Sequence, residues 1–260
     1  MVLNDRQNQV KHLVDAERKR MPRLGTRKIH YRIKPLLHRA GLKIGRDKLF
    51  DWMRQYGLLI CPRKRYIQTT MSKHWMRKYP NLLKQLAVVR PEQVWVSDIT
   101  YIKTDEGTCY LNMITDAYSR KIVGYALDDN METCNMVKAL EMALSYRRDR
   151  KAEIIHHSDR GSQYCSQEYV EVAVNNGLKM SMTENGDPYE NALAERMNRT
   201  IKEEFGLDKV IKTKAQALQV VEESIQIYNQ YRPHLALKMK TPNYVHQIKN
   251  PDYQRQSGLL

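Results

Sequence analysis

The chain has 260 residues, enough for one sizeable core and a small accessory domain. Its 44 Lys and Arg stand against 29 Asp and Glu, a formal charge of +15 with a pI near 9.6, which suits a polyanionic partner: nucleic acid first, an anionic membrane surface second. No run approaches eighteen apolar residues and the first residues hold no apolar signal core, which argues against a membrane partner and for a cytoplasmic location.

In chain order, residues 1 to about 24 are polar and basic, with Val10, Leu13 and Val14 hinting at a short helix. From Gly25 two helices are expected, joined by a turn flanked by Gly41 and Gly45. Pro35 either opens a second short helix or kinks the first, and Leu49, Phe50, Trp52, Met53 and Tyr56 recur near helical spacing. This reads as a helix-turn-helix domain over residues 1–60, with Arg27, Lys28, Arg46, Lys48 and Arg54 as its DNA contacts. The duller reading is a helical hairpin with a solvated basic face. Residues 61–90 form a basic linker in which Trp75 and Tyr79 either stack on bases or pack onto a domain.

After Pro91 the text turns to strands, Val94–Ile102, Thr108–Thr115 and Lys121–Leu127, separated by turn-like segments. A helix over Glu132–Arg148, a strand over Glu153–His157, a helix over Gln167–Asn176 and a strand over Lys179–Met182 complete a mixed α/β sheet. A further helix is expected with Asp187 as N-cap, Pro188 at its first position and Glu190 closing a capping box, which places Glu195 two turns inside. The four cysteines, Cys61, Cys109, Cys134 and Cys165, fall singly, without Cys-x-x-Cys or His-x-x-x-His partners, so no zinc site is expected.

Three carboxylates stand out. Asp98 lies in the strand-like Val94–Ile102, where an unpaired charge is costly and a cation is expected beside it. Asp159 directly follows a strand, and Glu195 comes after a gap of 35 residues. Leu193, Met197, Ile201 and Phe205 step by four as a buried stripe, leaving Asn191, Glu195, Asn198, Arg199 and Lys202 on another face. Alone, Glu195 reads first as half of a solvated pair with Arg199. With Asp98 and Asp159 it reads as part of a site for two divalent metal ions. Asp105, Asp116, Asp128 and Asp129 occupy turns or strand exits with local roles. His156 and His157 are poor ligands for Mg²⁺ and shape the strand end or touch phosphate.

The segments Trp95–Tyr101, His157–Tyr164, Glu190–Glu195 and Tyr228–His234 resemble, in this order, the catalytic core of bacterial insertion-sequence transposases of the IS-three group, relatives of retroviral integrase. The resemblance implies an RNase H-like, mixed five-stranded sheet with flanking helices over residues 91–250, a tail at 251–260, and the small all-α helix-turn-helix domain in front. It implies Asp98 on the first strand, Asp159 after the fourth and Glu195 on a following helix as the DDE catalytic residues. Two Mg²⁺ ions, replaceable by Mn²⁺ and without zinc, would sit on them, while Arg160, Arg199 and Lys202 hold the DNA backbone. The activity implied is strand cleavage and strand transfer at terminal inverted repeats, by way of a circle that later inserts. The implied partners are double-stranded DNA (element ends and target), further copies of the chain, and an upstream-frame protein, to which the abrupt basic start also points; the implied location is the bacterial nucleoid. Two departures are the lack of a His-His-Cys-Cys domain and Cys165 in place of a hydroxyl residue. A nuclease of the same fold, or a catalytically inert DNA-binding regulator, is the rival reading.

Overall fold

The computed structural model describes residues 5–61, 75–184 and 191–248. Three helices lead: α1 (Asp5–Arg20), α2 (Thr26–Arg39) and α3 (Arg46–Gln55). Ile29, Ile33 and Leu37 step by four along α2 and share one apolar cluster with Val10 and Val14 of α1 and Leu49 and Met53 of α3. The turn between α2 and α3 uses Gly41 at φ +68°, and the Leu42 N–H donates to the Leu37 carbonyl at 2.9 Å, closing the helix end as a left-handed cap does. Pro35 does not divide α2. It lies on the exposed side of the helix, where the Tyr31 carbonyl that loses its partner can meet water.

The sheet has the order β3-β2-β1-β4-β5. Strands β1 (Val94–Thr104), β2 (Gly107–Asp116) and β3 (Ile122–Asp128) form an antiparallel meander, while β4 (Ile154–Ser158) pairs parallel to β1 and β5 (Leu178–Met182) parallel to β4. The parallel pairings need crossovers, supplied by α4 (Thr133–Ser145) between β3 and β4 and by α5 (Ser162–Cys165) with α6 (Gln167–Asn175) between β4 and β5. The period of two divides the faces. Trp95, Ile114 and Val123 pack with Met136, Leu140, Tyr164 and Tyr169 of the crossover helices, whereas Ile102, Leu111 and Met113 pack on the opposite side.

That second side is covered by α7 (Ala192–Phe205) and α8 (Lys214–Tyr231), followed by the short α9 (Pro242–Gln247). The sequence reading did not anticipate α8. Its signal is present in Ala217, Val221, Ser224, Ile225 and Tyr228, which follow helical spacing behind a Thr213 cap that accepts from the Gln216 N–H at 3.1 Å. Ile201, Phe205 and Leu207 share one apolar cluster with Leu24, Ile29 and Ile33, so the leading helices and the sheet domain have a continuous core. No described helix is long and apolar enough to cross a membrane.

The two aromatics of the expected linker are placed differently. Tyr79 and Met76 pack against the crossover-helix core, with the Arg77 guanidinium 5.2 Å from the Tyr79 ring centre, whereas Trp75 is 92% exposed. Residues 62–74 lie outside those described, as do 185–190, which include the expected Asp187–Pro188–Glu190 cap.

One position tests the packing of β3 on α4. A Cβ on Gly124 would collide with the Ala139 carbonyl oxygen and lie 2.9 Å from Ala143 Cβ. Because the obstacle is backbone, Gly124→Ala is expected to destabilise the protein by about 2–3 kcal/mol, as overpacking does. Urea denaturation checks this; a midpoint unchanged from wild type would mean that β3 and α4 are not in this close contact.

Candidate active site

Asp98 sits where β1 parts from β4. The two strands pair through Val94–Val96 only, and Asp98 comes two residues later. Asp159 is the first residue past the end of β4. Two parallel neighbours that each carry an acid at or just beyond the point of divergence make a crevice of the kind in which open α/β sheets bind ligands. The helix α7 lies over β1 and β2 beside this crevice. Its Asn191 side chain donates to the Ser97 carbonyl at 3.1 Å, and its Asn198 side chain donates to Asp98 Oδ2 at 2.8 Å. Both asparagines are buried and lie seven residues apart, on one face of the helix, so they fasten its first two turns to β1. Glu195 lies between them.

The structure corrects the placing of Glu195. The helix begins at Ala192 with Asn191 as its N-cap, so Glu195 is in the first turn and not two turns inside. There it faces the positive end of the helix dipole. Met197, Ile201 and Phe205 are buried as the stripe required, Leu193 only partly.

The three carboxylates are electrostatically coupled. Asp98 is 5% exposed, and its acidity is pushed to about 7 by burial first and by the charge of Asp159 next, with Glu195 adding to both; the Ile99 N–H at 3.0 Å and the Asn198 amide oppose the shift. Burial and Asp159 also raise Glu195, against the pull of Arg199 one turn on. Asp159 Oδ1 accepts the Gly161 N–H at 3.0 Å, which turns the chain sharply after β4. Among the described residues no cationic side chain lies within ion-pair distance of Asp98, and no three His, Cys, Asp or Glu side chains close around one point as a finished cation cage. The donor set nevertheless fits a hard divalent cation: the three carboxylates are near enough to raise one another, and their mutual repulsion is what such a cation relieves.

The other side of β1 holds the site rigid. Ser97 Oγ donates to Asn112 Oδ1 at 3.1 Å and lies 2.9 Å from the Tyr164 hydroxyl, which donates to the same Asn112 oxygen at 2.9 Å. Tyr164 belongs to the short helix just after Asp159, so this buried network ties the Asp159 turn to the strand of Asp98. Neither Asn198 nor Tyr164 was given a role on sequence grounds. Tyr164 stands inside a motif quoted for the resemblance and Asn198 on the polar face read with Glu195, but side-chain hydrogen bonding across elements has no sequence period. The histidines are structural: His156 Nε2 lies 2.7 Å from the Tyr169 hydroxyl and His157 Nδ1 lies 2.8 Å from Ser181 Oγ, both fully buried. Burial, with a smaller contribution from the His157 charge, pushes His156 down to about 3. Asp116 likewise serves its turn, accepting the Ser119 N–H and hydroxyl at 2.7 Å each.

The expected DNA contacts fall into two groups. On the sheet domain, Arg160 follows Asp159, Arg199 is exposed on α7, and Lys202 lies two turns after Glu195 with its ammonium 4.1 Å from the Tyr101 ring centre. Burial, and then the like charge of Lys103, lowers the Lys202 ammonium. On the leading helices Arg27, Arg46, Lys48 and Arg54 are exposed, with Arg46 paired to Asp47 at 2.7 Å and Arg54 to Asp51 at 2.8 Å. Lys28 is placed otherwise. Its ammonium turns inward to Glu204 of α7 at 3.2 Å in an intramolecular ion pair, with 15% of the side chain exposed.

A mixed sheet of this order, with acids at the parting of its two central parallel strands, defines the core of a polynucleotidyl transferase of integrase type. The Integrase core domain family matches residues 88–188, and a second family of the same description matches residues 176–242. The chain is 39% identical over 213 residues to the insertion element IS600 uncharacterized 31 kDa protein of Shigella sonnei, covering 81% of this chain and 78% of that one. It is 34% identical over 218 residues to the transposase for insertion sequence element IS904 of Lactococcus lactis, covering 81% and 84%. Among solved structures, the simian T-cell lymphotropic virus intasome in complex with PP2A regulatory subunit B56 gamma matches with a TM-score of 0.53 at 16% identity, over 88% of this chain and 72% of that one. This last likeness concerns the fold, which is RNase H-like. The chain belongs to the bacterial insertion-sequence transposases of the IS-three group, which are built on an integrase core domain.

Proposed function

We propose that the chain cuts the terminal inverted repeats of an insertion sequence and joins the freed ends to new phosphodiesters, at a centre made by Asp98, Asp159 and Glu195. The observation that carries this reading is the environment of Asp98: a buried carboxylate, raised to about 7 by burial and by two neighbouring carboxylates, held only by neutral N–H donors. A group kept in that state is stabilised by a bound cation, and a structural acid would have been paired by the fold itself.

In the cleavage step water attacks phosphorus and the P–O3′ bond breaks, leaving a 3′-hydroxyl. In the joining step that hydroxyl attacks a second phosphodiester and displaces its 3′-oxygen, so one P–O bond forms for each that breaks. Where one cut end attacks the other, a circle results that later inserts. Two Mg²⁺ ions, or Mn²⁺ in their place, would supply charge stabilisation at the attacking and leaving oxygens. The chain's own part is positional. Asn191 and Asn198 hold α7 against β1 and so fix Glu195 relative to Asp98. Arg160, Arg199 and Lys202 would neutralise backbone phosphates beside the crevice, and Arg27, Arg46, Lys48 and Arg54 would grip the duplex from the leading helices.

In this reading residues 1–60 are a DNA-binding arm, 61–90 a linker and 91–250 the catalytic core, working in a homo-oligomer on DNA with an upstream-frame protein, in the cytoplasm at the nucleoid. Incubation of the protein with a labelled element-end oligonucleotide, a plasmid target and Mg²⁺ tests it. Covalent joining of the end to the plasmid supports a transposase; nicking alone supports a nuclease of the same fold, and binding alone a regulator.

A further inference from the structure

Glu204 lies nine residues beyond Glu195 on the same helix, at its opposite end. It is the meeting point of three parts of the chain. Its carboxylate accepts from Arg232 Nε at 2.7 Å and from the second guanidinium nitrogen at 2.6 Å, a two-pronged pair that fixes both partners. It also accepts from Lys28 of α2 at 3.2 Å, and its backbone carbonyl accepts the Arg23 N–H at 3.1 Å. Arg232, 6% exposed at its side chain, stands in the Tyr-Arg-Pro-His segment that the sequence singled out but to which no role fell. Beside it, Arg32 of α2 donates to the Tyr231 carbonyl at 2.9 Å and also pairs with Glu17 of α1, while the Arg20 guanidinium lies 5.5 Å from the Tyr231 ring centre.

The leading helices are therefore not tethered only through the linker. They are clamped to the far end of the helix that carries Glu195, through a largely buried polar cluster and the one apolar cluster that Leu24 and Ile29 share with Phe205 and Leu207. Burial opposes the charge on Glu204, yet its carboxyl stays below the usual range because the Arg232 hydrogen bonds and charge, and then Lys28, outweigh that cost. The members are unequal. Arg232 holds Glu204 with two bonds and Lys28 with one, so the loss of Lys28 leaves the α7–Arg232 pair whole and affects only the seam to the arm.

We propose, on the reading that the arm grips element ends and the three carboxylates cut them, that Glu204 with Lys28 is a positioning pair: it sets the distance from the gripped duplex to the crevice and thereby selects which phosphodiester is cut. A helix that bears the catalytic Glu195 at one end and the arm's anchor at the other transmits that distance as a rigid strut. The selectivity lies in the seam, not in contact with DNA, since Lys28 faces inward.

The test maps cut positions at single-nucleotide resolution on a labelled element end, using full-length wild type, Lys28→Met and Lys28→Arg. For Lys28→Met the fraction cut at the wild-type phosphodiester is expected to fall roughly fivefold relative to cuts at its neighbours, the low end of a coupling between two sites, with end affinity little changed. Lys28→Arg, which keeps a cation in reach of Glu204, is expected to restore the single cut. A role in stability alone would lower the amount of active protein and leave the cut position where it was. If Lys28→Met does not fold, Lys28→Gln, which removes the charge and shortens the reach while leaving the Glu204–Arg232 pair whole, gives the same reading. Cutting by Lys28→Met at the wild-type position alone, or an equal spread with Lys28→Arg, would overturn the proposal. Failure of the wild type to cut any end would instead overturn the proposed function.

Discussion

Asp98→Asn, Asp159→Asn and Glu195→Gln are each expected to lower both cleavage and joining by about 10³-fold or more, while duplex affinity stays within a few-fold of wild type. The separation follows from where the charges lie. The three acids line the crevice between β1 and β4 and below α7, whereas the exposed cations that would meet phosphate, Arg27, Lys48, Arg199 and their neighbours, lie on other side chains whose packing these changes do not touch. Each substitution replaces a charged carboxylate oxygen by an amide nitrogen and keeps the shape, so a cation held there would lose a hard anionic donor. Gel-shift and cleavage assays on the same preparation check the two halves; near-wild-type cleavage by any one variant would remove that residue from the centre.

Asp98 should also reveal itself in stability, without any DNA. In the folded, metal-free protein its acidity lies at about 7 against an ordinary 3.8, a raised value. A carboxyl raised on folding contributes its stability below the unfolded value and loses it as the pH rises through the folded one, because the unfolded chain ionises freely and the folded one cannot. At about 1.4 kcal/mol per pH unit, the gap gives a ceiling of about 4 kcal/mol lost between pH 4 and pH 8. Asp98→Asn has no charge to bury, and the Asn198 amide can turn its own oxygen, which has no partner in the structure, toward the new N–H. In EDTA the variant is therefore expected to be more stable than wild type at pH 8 by about 2–4 kcal/mol and to lose that advantage near pH 5. Mg²⁺ is expected to stabilise the wild type at pH 8 and not the variant, as a ligand of the ionised form does. Denaturant titrations at the two pH values decide it; an equal difference at both would mean that Asp98 ionises in the folded protein at no cost.

Much of this was legible in the chain. Runs of β-branched and aromatic residues and the turn residues between Thr104 and Gly107 and between Asp116 and Lys121 marked β1, β2 and β3 to within a few residues, because strands covered on both faces read as near-continuous apolar runs broken only at turns. Asp98 was legible for a different reason: a carboxylate in an otherwise apolar strand has no local explanation, whereas Asp159 and Glu195 were legible only together with it, through their spacing and the motifs around them. What the sequence hid was cooperative. The start of α7 was misread because the capping signals at Asp187 and Glu190 are as well formed on paper as any, while the helix begins at Ala192, where Asn191 and Asn198 are drawn onto β1. The ion pair of Lys28 was hidden because a charge does not announce its partner, and Glu204 lies 176 residues away. The continuity of the arm with the sheet core was hidden for the same reason. The apolar stripe of α2 looks complete within a helical hairpin, and only the fold brings Phe205 and Leu207 against it.

The measurement closest to the central claim is anomalous scattering from crystals of the protein grown or soaked with Mn²⁺. The carboxylate centre predicts peaks in the crevice between β1 and β4, with oxygens of Asp98, Asp159 and Glu195 at about 2.0–2.2 Å from the ions and the peaks lost in Asp98→Asn. Mn²⁺ bound elsewhere, with the three acids left unliganded in wild type, would contradict it.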